Sequence, residues 1–381
     1  MKKILFITTR DPYAKRFSGD ILRSRRIIKL LRNNYAVDVL FLGKKEKFLK
    51  KKNITFCFKS PNFLSKLYYC LVSFLKLQPI QFGLFYSSKL KKYVQQNAKK
   101  YDVIFFHTNR SVQYLPDTYE GKTILEMGDL YSKNYSQTYK HVSILSPLFY
   151  YYLVESFLIK KFENNSLSIF KNIILFSKKE ISQIKRQFRK KIIHIPESVN
   201  EIKMKYIFSK NNYKILFIGN LGYLPNKLAC KDFLKRILPH LSLKFPEIEF
   251  HIIGHIPAID KFILSLNPKV KIIGQKKKID KYMKKTICGL ANLKIASGVQ
   301  GKVLTYMSFG LPAICSDKVS PNFGSATIQY KDDKELIKKI ANLKLNKFKS
   351  ELFAKKSRNY IKNFLWSKIG TNYIRLINNS F

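Results

Sequence analysis

The chain has 381 residues, 46% of them apolar, enough for two domains of roughly 150 to 200 residues with separate cores, which excludes a chain dominated by disorder. Its 72 Lys and Arg against 24 Asp and Glu give a net charge of +48, which names nucleic acid, anionic lipid head groups and acidic small molecules as candidate partners. A compositional origin stands beside these, because Lys is spread along the whole chain and only 43–52 and 275–285 form basic blocks.

The N-terminus passes from Met1-Lys2-Lys3 into Ile4–Ile7, an apolar run too short for a signal peptide. No segment offers the ~18 to 20 uninterrupted apolar residues of a membrane span, so a cytoplasmic chain is expected. Cys57, Cys70, Cys230, Cys288 and Cys315 lie at no metal-ligand spacing and read as reduced, mostly buried thiols.

Short β-branched and aromatic runs alternate with longer periodic segments, the pattern of a parallel sheet with crossover helices. In the first half, strands are predicted at Lys3–Thr8, Val37–Leu42, Ile54–Phe56, Val103–His107, Thr123–Glu126, Ile173–Phe176 and Ile192–Ile195. Helices are predicted between them at Asp20–Asn33, Leu64–Leu77, Ser88–Lys99 and Pro147–Phe170. The segment Leu64–Phe85 has two readings, as core packing or as a membrane-facing stretch. Core packing is preferred, since Gln78-Pro79 breaks the helix and its apolar residues look poorly sorted.

A polar, turn-rich stretch at Glu201–Tyr213 marks the expected seam. The pattern then restarts with strands at Lys214–Ile218, Glu249–Ile253, Val270–Ile273 and Gly289–Asn292, and helices at Lys227–Phe245 and Ile279–Lys285. Helices at Lys334–Leu343, Phe348–Trp366 and Ser367–Asn378 close the chain. Two doubly wound α/β units follow, with domains at 1–205, 206–362 and a final helix at 363–381.

Ser297–Pro312, SGVQGKVLTYMSFGLP, joins a glycine loop to a helix start. Unpaired N–H groups at a helix N-terminus hold an anion when glycines let it come close, and Gly298 and Gly301 supply that access. Lys302 adds a point charge within reach of a diphosphate, while Val303, Leu304 and Met307 form the buried stripe. The same loop, helix and strand occur in α/β domains that bind no ligand.

Two such units with this motif late in the second resemble the family 4 (group 1) glycosyltransferases of the GT-B fold. Phe17-Ser18-Gly19-Asp20 resembles the family's glycine loop opening the first helix, and Ile215–Asn220 with Pro225-Asn226 resembles the start of the donor domain. Phe250–Gly254 and Val270–Gly274 are similar to two strands ending in glycine, and Asn363–Trp366 to the lead into the final helix, which crosses back to the N-terminal domain. The resemblance implies two Rossmann-like domains facing a cleft, the first binding an acceptor and the second a nucleotide sugar.

It further implies a retaining, metal-independent, hexosyltransferase-like enzyme of polysaccharide biosynthesis that needs no cofactor. Gly19, Gly219, Asn220, Gly254, Ser297, Gly298, Val299, Gln300, Gly301, Lys302 and Thr305 would bind the donor. Lys302 would also neutralise the leaving diphosphate. Thr305 and Ser297 stand where the family carries carboxylates, and offer uncharged hydroxyls instead. Asp129 and His107 are the candidates for orienting the acceptor, Asp129 in a polar loop after a strand. His107 reads equally as a hydrogen-bonded histidine at a strand end.

A glycan or lipid-linked acceptor is expected, with the basic first domain able to dock on the inner face of an anionic membrane. The alternatives are a nucleic-acid-binding protein and an inactive GT-B scaffold. No nucleic-acid motif appears, so no specific nucleic acid is expected.

Overall fold

The computed structural model describes residues 2–14, 19–50 and 53–379. It divides into two units, Met1–Pro196 with Gly370–Phe381 and Glu197–Ile369. Phe17 and Ser18 of the expected glycine loop, and Lys51 and Lys52 of the basic block, lie outside the described residues.

The first unit runs β1 (Lys3–Thr8), α1 (Gly19–Arg32), β2 (Ala36–Gly43), β3 (Lys47–Lys50), β4 (Ile54–Lys59), α2 (Phe63–Leu75), α3 (Ser88–Asn97), β5 (Val103–His107) and β6 (Lys122–Gly128). It continues through α4 (Tyr131–Thr138), α5 (Pro147–Ile169), β7 (Asn172–Leu175), α6 (Lys178–Ile181), α7 (Arg186–Arg189) and β8 (Ile192–His194). The sheet order is β3-β4-β2-β1-β5-β6-β7-β8, parallel apart from β3. The inner strands are buried on both faces, hence the unbroken apolar runs Ile4–Ile7 and Val103–Phe106.

The second unit holds β9 (Lys214–Ile218), α8 (Leu224–Asp232), α9 (Leu238–Lys244), β10 (Glu249–Ile253), α10 (Ala258–Ser265), β11 (Val270–Gly274) and β12 (Thr286–Ala291). Then come α11 (Gly301–Ser308), β13 (Ala313–Ser316), β14 (Ile328–Tyr330), α12 (Asp333–Leu345), α13 (Lys347–Ile361) and α14 (Trp366–Asn378). Its parallel sheet has the order β11-β10-β9-β12-β13-β14. The two α/β units and their parallel sheets are as the strand rhythm implies.

Several elements depart from the sequence reading. The basic block contains β3, an antiparallel edge strand whose lysines suit an edge that must not recruit another chain. α4, α6, α7, α10 and β14 are additional. The expected helix Lys227–Phe245 begins earlier, at Leu224, and widens into a π turn at Phe233–Ile237 just before Pro239, which has no N–H to continue the α ladder.

The expected seam belongs to the second unit. Lys203 N–H donates to the Ser308 carbonyl at 2.7 Å, and Lys344 Nζ donates to the carbonyls of Lys210 at 2.6 Å and Asn212 at 2.8 Å. The division falls at Pro196–Glu197, and α14 joins the first unit from Gly370 onward. There Tyr373 Oη donates to Glu126 Oε1 at 2.7 Å and Tyr35 Oη to Asn378 Oδ1 at 2.5 Å.

Of Leu64–Phe85, the end at Gln81–Gly83 is buried as core packing expects, but the helix is not. α2 turns its small residues inward, with Ser73 buried, and leaves its leucines and aromatics in solvent. It rests on the 3-10 helix Ile80–Phe85, where a Cβ on Gly83 would overlap the backbone of Tyr69 and Cys70. Close backbone approach therefore replaces side-chain interdigitation at this seat.

Candidate active site

Parallel strands place their carboxyl ends on one edge, where α/β sheets bind ligands. In the second unit that edge carries Gly219 and Asn220 after β9, Gly254 after β10, and the 297–301 loop leading into α11. Tyr306 seats α11: its hydroxyl accepts from Ile218 N–H at 2.8 Å and donates to the Leu290 carbonyl at 3.0 Å. Gly289 makes room, since a Cβ there would run into the Tyr306 ring. Val303, Leu304 and Met307 are fully buried, as the stripe predicts.

Gln300 precedes α11 and no side chain caps the helix; Gln300 Nε2 donates instead to the Ser297 carbonyl at 2.9 Å. Val303 N–H donates to the Gln300 carbonyl at 2.9 Å, and with no side-chain cap on the first turn the positive end of the helix is open to an anion. Gly298 has φ +60°, a conformation glycine adopts without cost, and its carbonyl accepts from Asn322 Nδ2 at 2.7 Å. Open space surrounds the position of a Cβ on Gly301. Val299 packs on the core, so it holds the loop through its apolar face.

Lys302 Nζ donates to Asn226 Oδ1 at 2.6 Å and lies 4.0 Å from the centre of the Phe217 ring. Desolvation pulls its ammonium down to about 7, a shift only partly opposed by Cys230 and Cys315. Asn226 Nδ2 in turn donates to the Asn220 carbonyl at 2.9 Å, so one buried amide ties the lysine to the β9–α8 loop. Sequence reading quoted Asn226 without a role; Lys302 lies 76 positions away, and only the fold brings them together.

The remaining donor candidates have local duties. Gly254, at φ +143°, lets its strand approach Gly219, whose carbonyl a Cβ would strike. Asn220 Oδ1 accepts from Gly222 N–H at 2.9 Å. Thr305 Oγ1 bonds the Gly301 carbonyl at 3.0 Å, one turn back in its own helix. Ser297 is partly buried and accepts through its carbonyl. Asp332 caps α12 by accepting from Glu335 N–H at 2.8 Å.

In the first unit, the carboxyl edge gathers Gly19 and Asp20 at the start of α1, His107 at the end of β5, and Asp129 after β6. His107 is 1% exposed, with Nδ1 against Glu126 Oε2 and Nε2 at 3.1 Å from the Asp20 carbonyl. Both ring nitrogens thus meet partners inside the protein, and the ring ties β5 to the start of α1. Burial pushes Glu126 up, but Arg23, then His107, together with hydrogen bonds from His107 and Tyr373, hold it below the ordinary carboxylate value.

Asp129 is half-buried at the head of α4, beside Tyr131. Burial raises the Tyr131 phenol against the pull of Arg110 and Arg23, with Asp129 and Asp20 pushing the same way as burial. Arg10 pairs with Asp20 at 2.8 Å. Among the described residues, no atom lies within 4 Å of where a Cβ on Gly19 would sit.

Sequence reading missed Asn109. It is 2% exposed, and neither its Nδ2 nor its Oδ1 has a hydrogen-bond partner among the described residues. The preceding Thr108 sits at φ 70°, ψ 156°, a region nearly confined to glycine. Strained backbone and an unsatisfied buried amide together make this strand end a candidate position for a ligand.

A cavity of about 800 Å³ opens elsewhere in the first unit, lined among others by Tyr13, Arg32, Phe41, Lys45 and Leu49. None of the sequence-predicted site residues lines it.

Residues 212–346 match the family model described as glycosyl transferases group 1. No curated protein sequence matches the chain. Among solved structures, HepE from Anabaena in complex with UDP-glucose is 14% identical, with TM-score 0.67 and 100% of both chains covered. A variant of S. aureus TarM, in complex with Fondaparinux, alpha-GlcNAc-glycerol and UDP, is 12% identical, with TM-score 0.67, 99% of this chain and 100% of that one covered. A glycosyltransferase from Rickettsia africae is 11% identical, with TM-score 0.63 and coverage of 100% and 98%. Residues 212–346 are thus similar to the group 1 glycosyltransferases, in a chain with the two-domain α/β GT-B fold.

Proposed function

We propose that the protein transfers a sugar from a nucleotide-sugar donor to a hydroxyl acceptor, without a metal and with retention of anomeric configuration. The observation that carries this reading is the uncapped N-terminus of α11, behind the Gly298–Gly301 loop and beside Lys302. Backbone N–H groups and one lysine would neutralise the charge that grows on the leaving diphosphate. The UDP and UDP-glucose of the Anabaena and S. aureus structures make a UDP-sugar the first donor to try. In the first unit, Asp129 and Asn109 would orient the acceptor. That acceptor would be a glycan or lipid-linked glycan of polysaccharide biosynthesis, met at an anionic membrane surface.

The test is release of nucleoside diphosphate from a panel of nucleotide sugars in the presence of a cell-envelope glycolipid extract, with chelator. Release that falls sharply in Lys302→Ala, and a product with the donor's anomeric configuration by NMR, support the reading. No turnover of any donor would instead support an inactive scaffold, in line with Thr305 bonding its own helix.

A further inference from the structure

We propose that α2 is an interfacial membrane anchor, whose apolar face enters the head-group region of an anionic bilayer. Phe63, Leu67, Leu71, Phe74 and their neighbours Leu64 and Leu75 recur at steps of three and four, which puts them on one face of the helix. That face points to solvent, with exposures of 43–73%. A globular helix buries such a stripe; here the buried residue is Ser73, and the inward side sits on the 3-10 helix Ile80–Phe85. Contiguous exposed apolar surface of this kind marks an interaction site.

The helix end extends the patch. Leu77 N–H bonds the Phe74 carbonyl at 2.9 Å and Gln78 N–H the Ser73 carbonyl at 2.8 Å, closing the helix through Leu77 at φ 53°. Glycine is the usual residue in that left-handed position, so an exposed leucine there is strained and adds apolar surface.

Charge names the occupant. From Lys59 to Tyr101 the sequence holds eight lysines and no Asp or Glu, with Lys66 on α2 and Lys76 at its end. An amphipathic helix with lysines and aromatic residues, attached to a chain of net charge +48, is complementary to anionic lipid. Thirteen residues span roughly 20 Å, too short to cross a bilayer, and no helix among the described residues is long and apolar enough to do so. The helix therefore lies in the membrane plane.

The anchor stands apart from the transferase reading and its test needs no activity. The full chain is floated with phosphatidylcholine vesicles, with and without phosphatidylglycerol, at low and high salt. The wild type is expected to float with the anionic vesicles and less so in salt. The double variant Leu67→Asp, Leu71→Asp should bind them about tenfold more weakly while keeping the wild-type melting temperature, as exposed positions should. Wild type left behind by anionic vesicles overturns the proposal. Equal flotation of the double variant overturns it too, as does light scattering that shows a dimer which those substitutions dissociate, since a second copy would then cover the face. If the double variant melts early, Phe63→Ser with Leu64→Ser is read in its place against the same outcomes.

Discussion

Lys302 and Asn226 are joined at 2.6 Å, Nζ to Oδ1, with the ammonium 4.0 Å from the centre of the Phe217 ring. Neither partner carries a counter-charge, and burial raises the neighbouring Cys230 and Cys315 thiols, which keeps them neutral. The lysine is thus a cation held among neutral groups, drawn down to about 7. A diphosphate at the head of α11 would supply the missing negative charge.

That arrangement predicts a pH-dependent nucleotide affinity. A bound diphosphate favours the charged lysine, so its pKa rises on binding, and above pH 7 binding takes up a proton. Affinity for UDP should fall by up to about tenfold per pH unit as pH rises above 7. Lys302→Arg, which stays charged, should give a flat profile. Titration calorimetry in buffers of different ionisation enthalpy reads the proton directly; a pH-independent wild type contradicts the charge assignment.

Asn109 should show opposed effects on stability and function. An unsatisfied buried amide costs about 1–3 kcal/mol, so Asn109→Leu, which keeps the branching at Cγ, should raise the melting temperature. If the amide waits for a ligand, the same change lowers transfer or acceptor affinity. A stabler variant with undiminished transfer would reduce Asn109 to a packing defect.

Tyr373→Phe removes one of the groups that hold Glu126 in its buried pair with Arg23 and His107. The loss should be about 1.5–3 kcal/mol, the range for a hydrogen bond to a charged group. Denaturant melts measure it, and hydrogen exchange should show the end of α14 opening more readily. Unchanged exchange there would mean that apolar packing of Tyr373 and Ile377 alone secures the helix end.

Glu163 predicts a stability profile. It accepts from Ser132 N–H at 3.1 Å and from the Ser132 hydroxyl, yet burial raises it to about 7. The folded protein then binds a proton more tightly than the unfolded chain does. The stabilisation is complete below the unfolded value near 4.5 and is lost as pH climbs through 7, at most about 3 kcal/mol. Glu163→Gln should flatten the loss between pH 5 and about 8; a wild type whose melting temperature does not fall over that range contradicts it.

How far the sequence carries can be seen in single elements. Lys3–Thr8, Val103–His107, Lys214–Ile218 and Glu249–Ile253 are legible because strands buried on both faces leave unbroken apolar runs. The 297–301 loop is legible because glycine spacing and helix start are local. The face of α2 is not: its apolar residues read as poorly sorted, and which side meets water depended on Gly83 admitting a backbone contact. β3 hid among lysines, since pairing with β4 is a tertiary fact. Asn109 hid for a similar reason, because nothing in HTN announces a threonine at φ 70°.

The most direct test of the donor site is calorimetric titration of UDP and other nucleoside diphosphates into the wild type and Lys302→Ala. At least one nucleotide should bind the wild type, and the variant should bind it about tenfold or more weakly. Equal affinity of the two proteins, or binding of none, would contradict the donor-site reading.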